Sequence, residues 1–164
     1  MKIGIGCVSD RCSRGECADR SGPAIADCVA DTASQTAYRL VPDEQERIRE
    51  ALLDLADGFG ADVIFTTGGT GFAPRDVTPE ATRSVIEREA PGIAEAIRMT
   101  SLAITPRAML SRAVSGIYRR ALIVNLPGSP KAVRESIAVV LPILGHAVET
   151  MRGETQSCGG SYDK

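Results

Sequence analysis

Asp43 and Asp76 are the two carboxylates whose surroundings suggest chemistry. Asp43 closes Val41-Pro42-Asp43, and Asp76 closes a loop that opens with Gly68-Gly69-Thr70-Gly71 and ends with Arg75-Asp76. Both segments follow directly on short apolar runs. Two carboxylates beside a polyphosphate commonly hold Mg²⁺, which takes oxygen ligands and keeps several of its waters. The glycines suit the same purpose. They tolerate positive φ and let backbone N–H groups face one anion with no side chain in the way. The loop is neither GxxxxGK[ST] nor GxGxxG, so it is not one of the two familiar phosphate-binding loops.

Two further segments share this pattern of polar residues after an apolar run. Ser9-Asp10-Arg11 follows the first run and could read a polar ligand. Pro127-Gly128-Ser129-Pro130-Lys131 follows Asn125-Leu126 and opens a helix, whose free N–H groups and positive end favour a phosphate, with Lys131 adding a full charge. Arg11, Arg75, Arg107 and Arg112 form a candidate phosphate-binding set. Each feature also has an architectural reading. Asp43 is a possible helix cap, Asp76 a turn or an Arg75 partner, the glycines a tight turn, and Ser129-Pro130 a helix start. Ser111 is a polar residue between apolar neighbours. His146, the only histidine, reads as a helix-face or core residue.

The elements that would position these residues alternate between strand and helix. Residues 2–9 read as a buried strand and residues 10–22 as a loop. Pro23 opens a helix to about Ala33, and Ala37–Val41 form a short strand. Asp43 then caps a helix carrying Ile48, Leu52 and Leu55 at helical spacing, stopped by Gly58 and Gly60. Asp62–Thr67 is a central strand. Thr78-Pro79-Glu80 caps and starts a helix to about Glu89, and another covers Gly92–Ala103. Residues 105–120 are expected to hold a hairpin. Ala121–Leu126 is a buried strand, and the last helix follows Ser129, with Val133, Ile137, Val140, Leu141 and Leu144 inward and a kink at Pro142. The pattern predicts an α/β fold, a mostly parallel sheet with helices on both faces. Parallel strands put their carboxyl ends on one edge, so the four polar segments should converge there.

Composition narrows the function. The chain has 164 residues, 43% hydrophobic and 24% charged, which suits one domain over 1–152 with a mobile tail over 153–164. A net charge of -2 and 4% aromatics argue against nucleic-acid binding. No apolar run is long enough for a membrane span, and the N-terminus does not read as a signal peptide. A cytoplasmic protein is expected. Of five cysteines, Cys7, Cys12 and Cys17 fall in or beside the first loop, with Cys28 and Cys158 beyond. The odd number and the expected reducing compartment predict free thiols rather than a disulfide framework, and the spacing does not suit zinc.

Six stretches carry a resemblance: residues 8–11 (VSDR), 19–23 (DRSGP), 41–44 (VPDE), 66–82 (TTGGTGFAPRDVTPEAT), 104–117 (ITPRAMLSRAVSGI) and 125–133 (NLPGSPKAV). They are similar to the molybdopterin adenylyltransferase family, MogA/MoaB-like, including the G domains of gephyrin and its plant counterpart. The resemblance implies the molybdenum-cofactor-biosynthesis fold, a homotrimer, and a reaction of Mg-ATP with molybdopterin that gives adenylyl-molybdopterin and pyrophosphate. It implies catalytic and Mg²⁺-linked roles for Asp43 and Asp76. Gly68, Gly69, Thr70, Gly71, Ser9 and Asp10 would line the nucleotide and pterin cleft, Ser111 would serve molybdopterin, and Arg75 lies in the same matched motif as Asp76. A later handover to a molybdenum insertase is a further expectation. The rival within this family is a MoaB-type molybdopterin carrier without adenylylating activity.

Overall fold

The computed structural model describes residues 1–154. The expected tail therefore lies outside the described residues, except for Gly153 and Glu154, and so does Cys158. The sheet has six strands: β1 (Lys2–Val8), β2 (Gln35–Val41), β3 (Val63–Thr67), β4 (Arg88–Glu89), β5 (Ser115–Tyr118) and β6 (Ala121–Leu126), in the order β2-β1-β3-β6-β5-β4. β2, β1, β3 and β6 are parallel, and at the far edge β5 runs antiparallel to β6 and β4 antiparallel to β5. The chain has the expected α/β fold with a mostly parallel sheet.

Alternation along the strands divides the core between the two faces. Ile3, Ile5, Val63, Phe65, Leu122 and Val124 pack on one side, against α2 (Ser21–Val29), α5 (Pro91–Leu102) and α6 (Pro130–Arg152). Ile64, Ala121, Ile123 and Val8 point to the other, against α3 (Gln45–Leu53), the π-helical turn Asp54–Gly58 and α4 (Thr78–Arg83). This is the period of two that a strand imposes. Gly4 permits the close approach of that turn, since a Cβ there would stand 3.2 Å from Leu55 Cβ.

Several local expectations are corrected. The loop after β1 contains a one-turn helix, α1 (Asp10–Ser13), whose cap is Ser9. Helix α2 starts at Ser21 rather than Pro23, because the Asp19 carboxylate accepts from the Ser21 and Gly22 amides at 2.8 and 2.9 Å and organises the first turn earlier. Glu44, not Asp43, stands at the N-cap of α3, since the Asp43 carboxylate is engaged elsewhere. Helix α4 ends at Arg83 rather than near Glu89. The Glu87 amide donates to the Ile117 carbonyl at 2.8 Å, and pairing with β5 draws residues 88–89 into the sheet. Thr78 is the first helical residue, and its hydroxyl donates to the Gly68 carbonyl instead of capping.

Residues 105–120 do not hold a hairpin of their own: they form a 3₁₀ turn over Pro106–Leu110 and the single strand β5, which turns at Arg119-Arg120 to pair with β6. The helical assignment of α6 runs unbroken through Pro142. Cys12 and Cys17 are disulfide-bonded, against the expectation of free thiols, because α1 and a turn at Gly15 bring their Cα atoms to 4.7 Å. Cys7 and Cys28 are free.

Candidate active site at the carboxyl edge of the sheet

The four polar segments leave β1, β2, β3 and β6 at the same edge. From β1 the chain moves outward to β2. From β3 it moves the opposite way, to β4 at the far edge, and reaches β6 only afterwards. The outgoing loops of these adjacent strands therefore part, and the crevice between Ser9 and Gly68 opens where ligands of such sheets bind.

Hydrogen bonds spanning the chain fix the first wall. Ser9 Oγ accepts from the Cys12 amide at 3.2 Å and caps α1. The Asp10 amide donates to Asp43 Oδ2 at 2.8 Å, and the Asp43 amide donates to Asp10 Oδ1 at 3.1 Å. Arg75 grips the Asp10 carboxylate with two bonds, at 3.0 and 2.8 Å. Those bonds hold the Asp10 carboxyl below its ordinary range. Asp43 is different. Partial burial raises its carboxyl above the usual aspartate value, the Asp10 amide opposes this, and the negative charges of Asp10 and Asp76 add to it.

The glycine loop forms the floor. Gly68 and Gly69 have φ of +95° and +63°, which side-chain-bearing residues rarely adopt. A Cβ on Gly68 would collide with the Val8 carbonyl, and one on Gly69 with Thr78 Oγ, while lying 3.1 Å from Asp43 Oδ1. A Cβ on Gly71 would stand 2.9 Å from Asp76 Oδ2. The two carboxylates thus flank the same short stretch of backbone. Asp76 Oδ2 also accepts from the Ala73 amide at 2.9 Å.

The third wall begins after β6. Thr67 donates to the Pro127 carbonyl at 2.7 Å and Ser21 to the Gly128 carbonyl at 2.7 Å, tying this turn to β3 and α2. Ser129 caps α6 by accepting from the Ala132 amide at 3.2 Å. Lys131 is exposed, with Glu135 at 3.9 Å. Asn125 is fully buried. It donates to Thr66 and Thr82 hydroxyls and accepts from the Val114 amide, so it braces the core.

These walls enclose two lobes. The first, about 420 Å³, is lined by Ser9, Cys12, Asp19, Ser21, Asp43 and Pro130, with Cys7 at its base. The second, about 410 Å³, is lined by Thr70, Gly71, Ile97, Arg98, Ser101, Ile104, Thr105, Arg107, Leu110, Ser111, Pro127 and Glu135. Gly68, Gly69, Asp76 and Gly128 line both. The first lobe is rich in carboxylates and backbone amides. The second combines an apolar wall with polar groups at its rim, as suits a flat heterocycle.

Sequence reasoning reached the second lobe through the glycine loop, Arg107, Ser111 and Pro127, but missed its apolar wall and Arg98. Arg98 is half-buried, bonds to the Ala113 carbonyl at 2.7 Å, and makes no ion pair among the described residues. Nothing in the sequence marks it, since Glu95 stands three residues before it at helical spacing as an ordinary surface partner would. Asp19 was also missed as a wall residue, although Asp-x-Ser-Gly is a helix-start spacing. Of the candidate phosphate-binding arginines, only Arg107 lines a lobe. Arg11 is exposed, Arg75 is paired with Asp10, and Arg112 is bonded to Glu80 and to loop carbonyls.

Comparison with known proteins gives the family. A family model described as a probable molybdopterin binding domain matches residues 4–146. Molybdopterin adenylyltransferase from Helicobacter pylori is 42% identical over 156 residues, covering 93% of this chain and 89% of that protein. The Escherichia coli protein of the same name is 42% identical over 151 residues, covering 90% and 77%. Among solved structures, the molybdopterin biosynthesis enzyme MoaB of Thermus thermophilus is 48% identical with a TM-score of 0.85, covering 95% and 99%.

Proposed function

The chain belongs to the molybdopterin-binding domain family, and we propose that it is a molybdopterin adenylyltransferase, joining AMP from ATP to the terminal phosphate of molybdopterin and releasing pyrophosphate. One observation carries the reading at the level of the site. Gly68, Gly69, Asp76 and Gly128 line both lobes, so ligands filling the two would meet at that seam. ATP takes the carboxylate-walled lobe and the pterin takes the lobe with the apolar wall and Ser111.

In the reaction, an oxygen of the molybdopterin phosphate attacks the α-phosphorus of ATP in line. The new P–O bond forms as the bond to the β-phosphate oxygen breaks, and pyrophosphate leaves. The protein's part is positioning and electrostatics. Backbone amides of the Gly68–Gly71 stretch face the phosphate oxygens, and the Ser129-capped start of α6 adds its positive end. Among the described residues, no three His, Cys, Asp or Glu side chains gather as a metal-holding group. Asp43 and Asp76 would hold Mg²⁺, since two carboxylates beside phosphate oxygens match its preference for oxygen ligands. When bound, Mg²⁺ would neutralise phosphate charge and that of the leaving pyrophosphate.

Residues 1–152 form the working unit in this reading, and the setting is the cytoplasm, where ATP is available. A homotrimer belongs to the same proposal. It is supported by the exposed apolar side chains Met99, Leu102, Ile104 and Met109, which a partner copy would cover. The product would pass to a molybdenum insertase.

Pyrophosphate release with ATP, Mg²⁺ and molybdopterin tests the proposal on the wild type, Asp43→Ala and Asp76→Ala. The wild type should release pyrophosphate and both variants should lose it. A wild type that binds molybdopterin without releasing pyrophosphate would be a carrier instead.

A further inference from the structure

The glycine loop presents a mechanical problem. Phe72, Ala73, Pro74 and Arg75 are all exposed, so apolar burial does not hold the segment that carries Asp76. Polar contacts must do so: Arg75 bonds twice to the Asp10 carboxylate, and a single residue, Arg112, reaches the loop backbone itself at three carbonyls. Arg112 Nε donates to the Gly71 carbonyl at 2.7 Å, and Nη2 donates to the Asp76 carbonyl. The Arg112 amide donates to the Thr70 carbonyl at 2.9 Å. One residue thus ties both ends of the loop. Its remaining face is occupied by the Glu80 carboxylate in the first turn of α4.

We propose that Arg112 is a positioning residue that sets the Asp76 carboxylate against the glycine backbone by clamping the Thr70, Gly71 and Asp76 carbonyls. Its charge is balanced by Glu80, which distinguishes it from a cation left free for phosphate. A planar guanidinium with five donors can hold two separated carbonyls and a carboxylate at once, whereas an ammonium on a flexible stem cannot. Arg112 also adjoins Ser111, which lines the second lobe. The clamp therefore joins the wall of one lobe to the carboxylate at the seam between both. This inference rests on the proposed reaction for its kinetic readout, but not for its structural one.

The test compares wild type, Arg112→Gln and Arg112→Lys by steady-state pyrophosphate release and by hydrogen exchange of residues 68–78 in the free protein. Small displacements of reacting groups are costly, so Arg112→Gln should lower kcat about 10²-fold. Arg112→Lys, which keeps the charge but loses the fork, should lower it about tenfold. The KM for ATP should stay within about twofold of wild type in both, the signature of misplaced machinery rather than lost binding. Exchange should quicken across Gly71–Asp76 and stay unchanged in β3. A folded variant with wild-type kcat, a loss confined to KM, or unaltered exchange in the loop would overturn the proposal. If Arg112→Gln does not fold, Arg112→Lys decides by the same criteria. Should the wild type release no pyrophosphate, the proposed reaction fails, and the exchange data still judge the clamp.

Discussion

Asp10 and Asp43 hold each other by reciprocal backbone-to-carboxylate bonds, 2.8 Å in one direction and 3.1 Å in the other. The pair locks the ends of adjacent strands β1 and β2 and divides the labour of one carboxylate. Asp43 Oδ2 is spent on the Asp10 amide, while Oδ1 lies on the side of Gly69. Arg75 closes the network on Asp10, leaving Asp43 without an arginine of its own.

Asp43 should therefore burden the fold while serving the site. Its folded pKa lies above the unfolded one, so the folded state binds the proton more tightly. The favourable contribution is complete below the unfolded pKa and declines as pH rises between the two values. At neutral pH the charge remains a cost. Asp43→Asn should melt higher than wild type at pH 7, with the advantage vanishing in acid, while turnover falls about 10²–10³-fold. Melting curves across pH, paired with pyrophosphate release, check this. A lower melting temperature at pH 7 would contradict it.

Gly69→Ala meets both a positive φ and a collision with Thr78 Oγ. It should cost about 1–3 kcal/mol of stability and reduce turnover sharply. Gly145→Ala is the control. That glycine is exposed within α6, where an added Cβ meets nothing within 4 Å, so alanine should stabilise by about 0.5–1 kcal/mol. Urea unfolding of both proteins reads the contrast, which opposite signs would bear out.

Ser111→Ala addresses the second lobe alone. Losing one hydroxyl contact should raise the KM for molybdopterin about tenfold and leave that for ATP unchanged. An equal rise in both would remove the assignment of lobes to substrates.

Asn125→Ala should damage the fold rather than the chemistry. It orphans the Val114 amide and removes the partner of two buried threonine hydroxyls. A loss of about 3 kcal/mol is expected from denaturant unfolding, with kcat preserved in the folded fraction. A neutral effect would mean that water replaces the amide.

The cysteines should divide by environment. Burial, with help from Asp19, pushes the Cys7 thiol up to about 12, whereas Cys28 is half-buried and free. Iodoacetamide at pH 8 without reductant should therefore label Cys28 and spare Cys7. Cys12 and Cys17 should react only after reduction. Peptide mapping decides, and rapid labelling of Cys7 would contradict its burial.

Much of this site can be read from the chain alone. Apolar runs alternating with helical spacing imply parallel strands, and parallel strands force Ser9, Asp43, Gly68 and Pro127 to one edge whatever their distance in sequence. The glycines identify a backbone that must come close to something. Ser129 was legible as a cap because its bond to the Ala132 amide is local.

Tertiary structure decided which polar group engages which. Asp43 looks like a helix cap until an amide 33 residues away claims its carboxylate. Arg75 and Arg112 look alike as phosphate ligands until one meets Asp10, 65 residues off, and the other a carbonyl 41 residues off. Local periodicity reports burial and element type because both arise within a few residues. A hydrogen-bond partner is chosen by proximity after folding, and that proximity is set by the whole packing of sheet and helices.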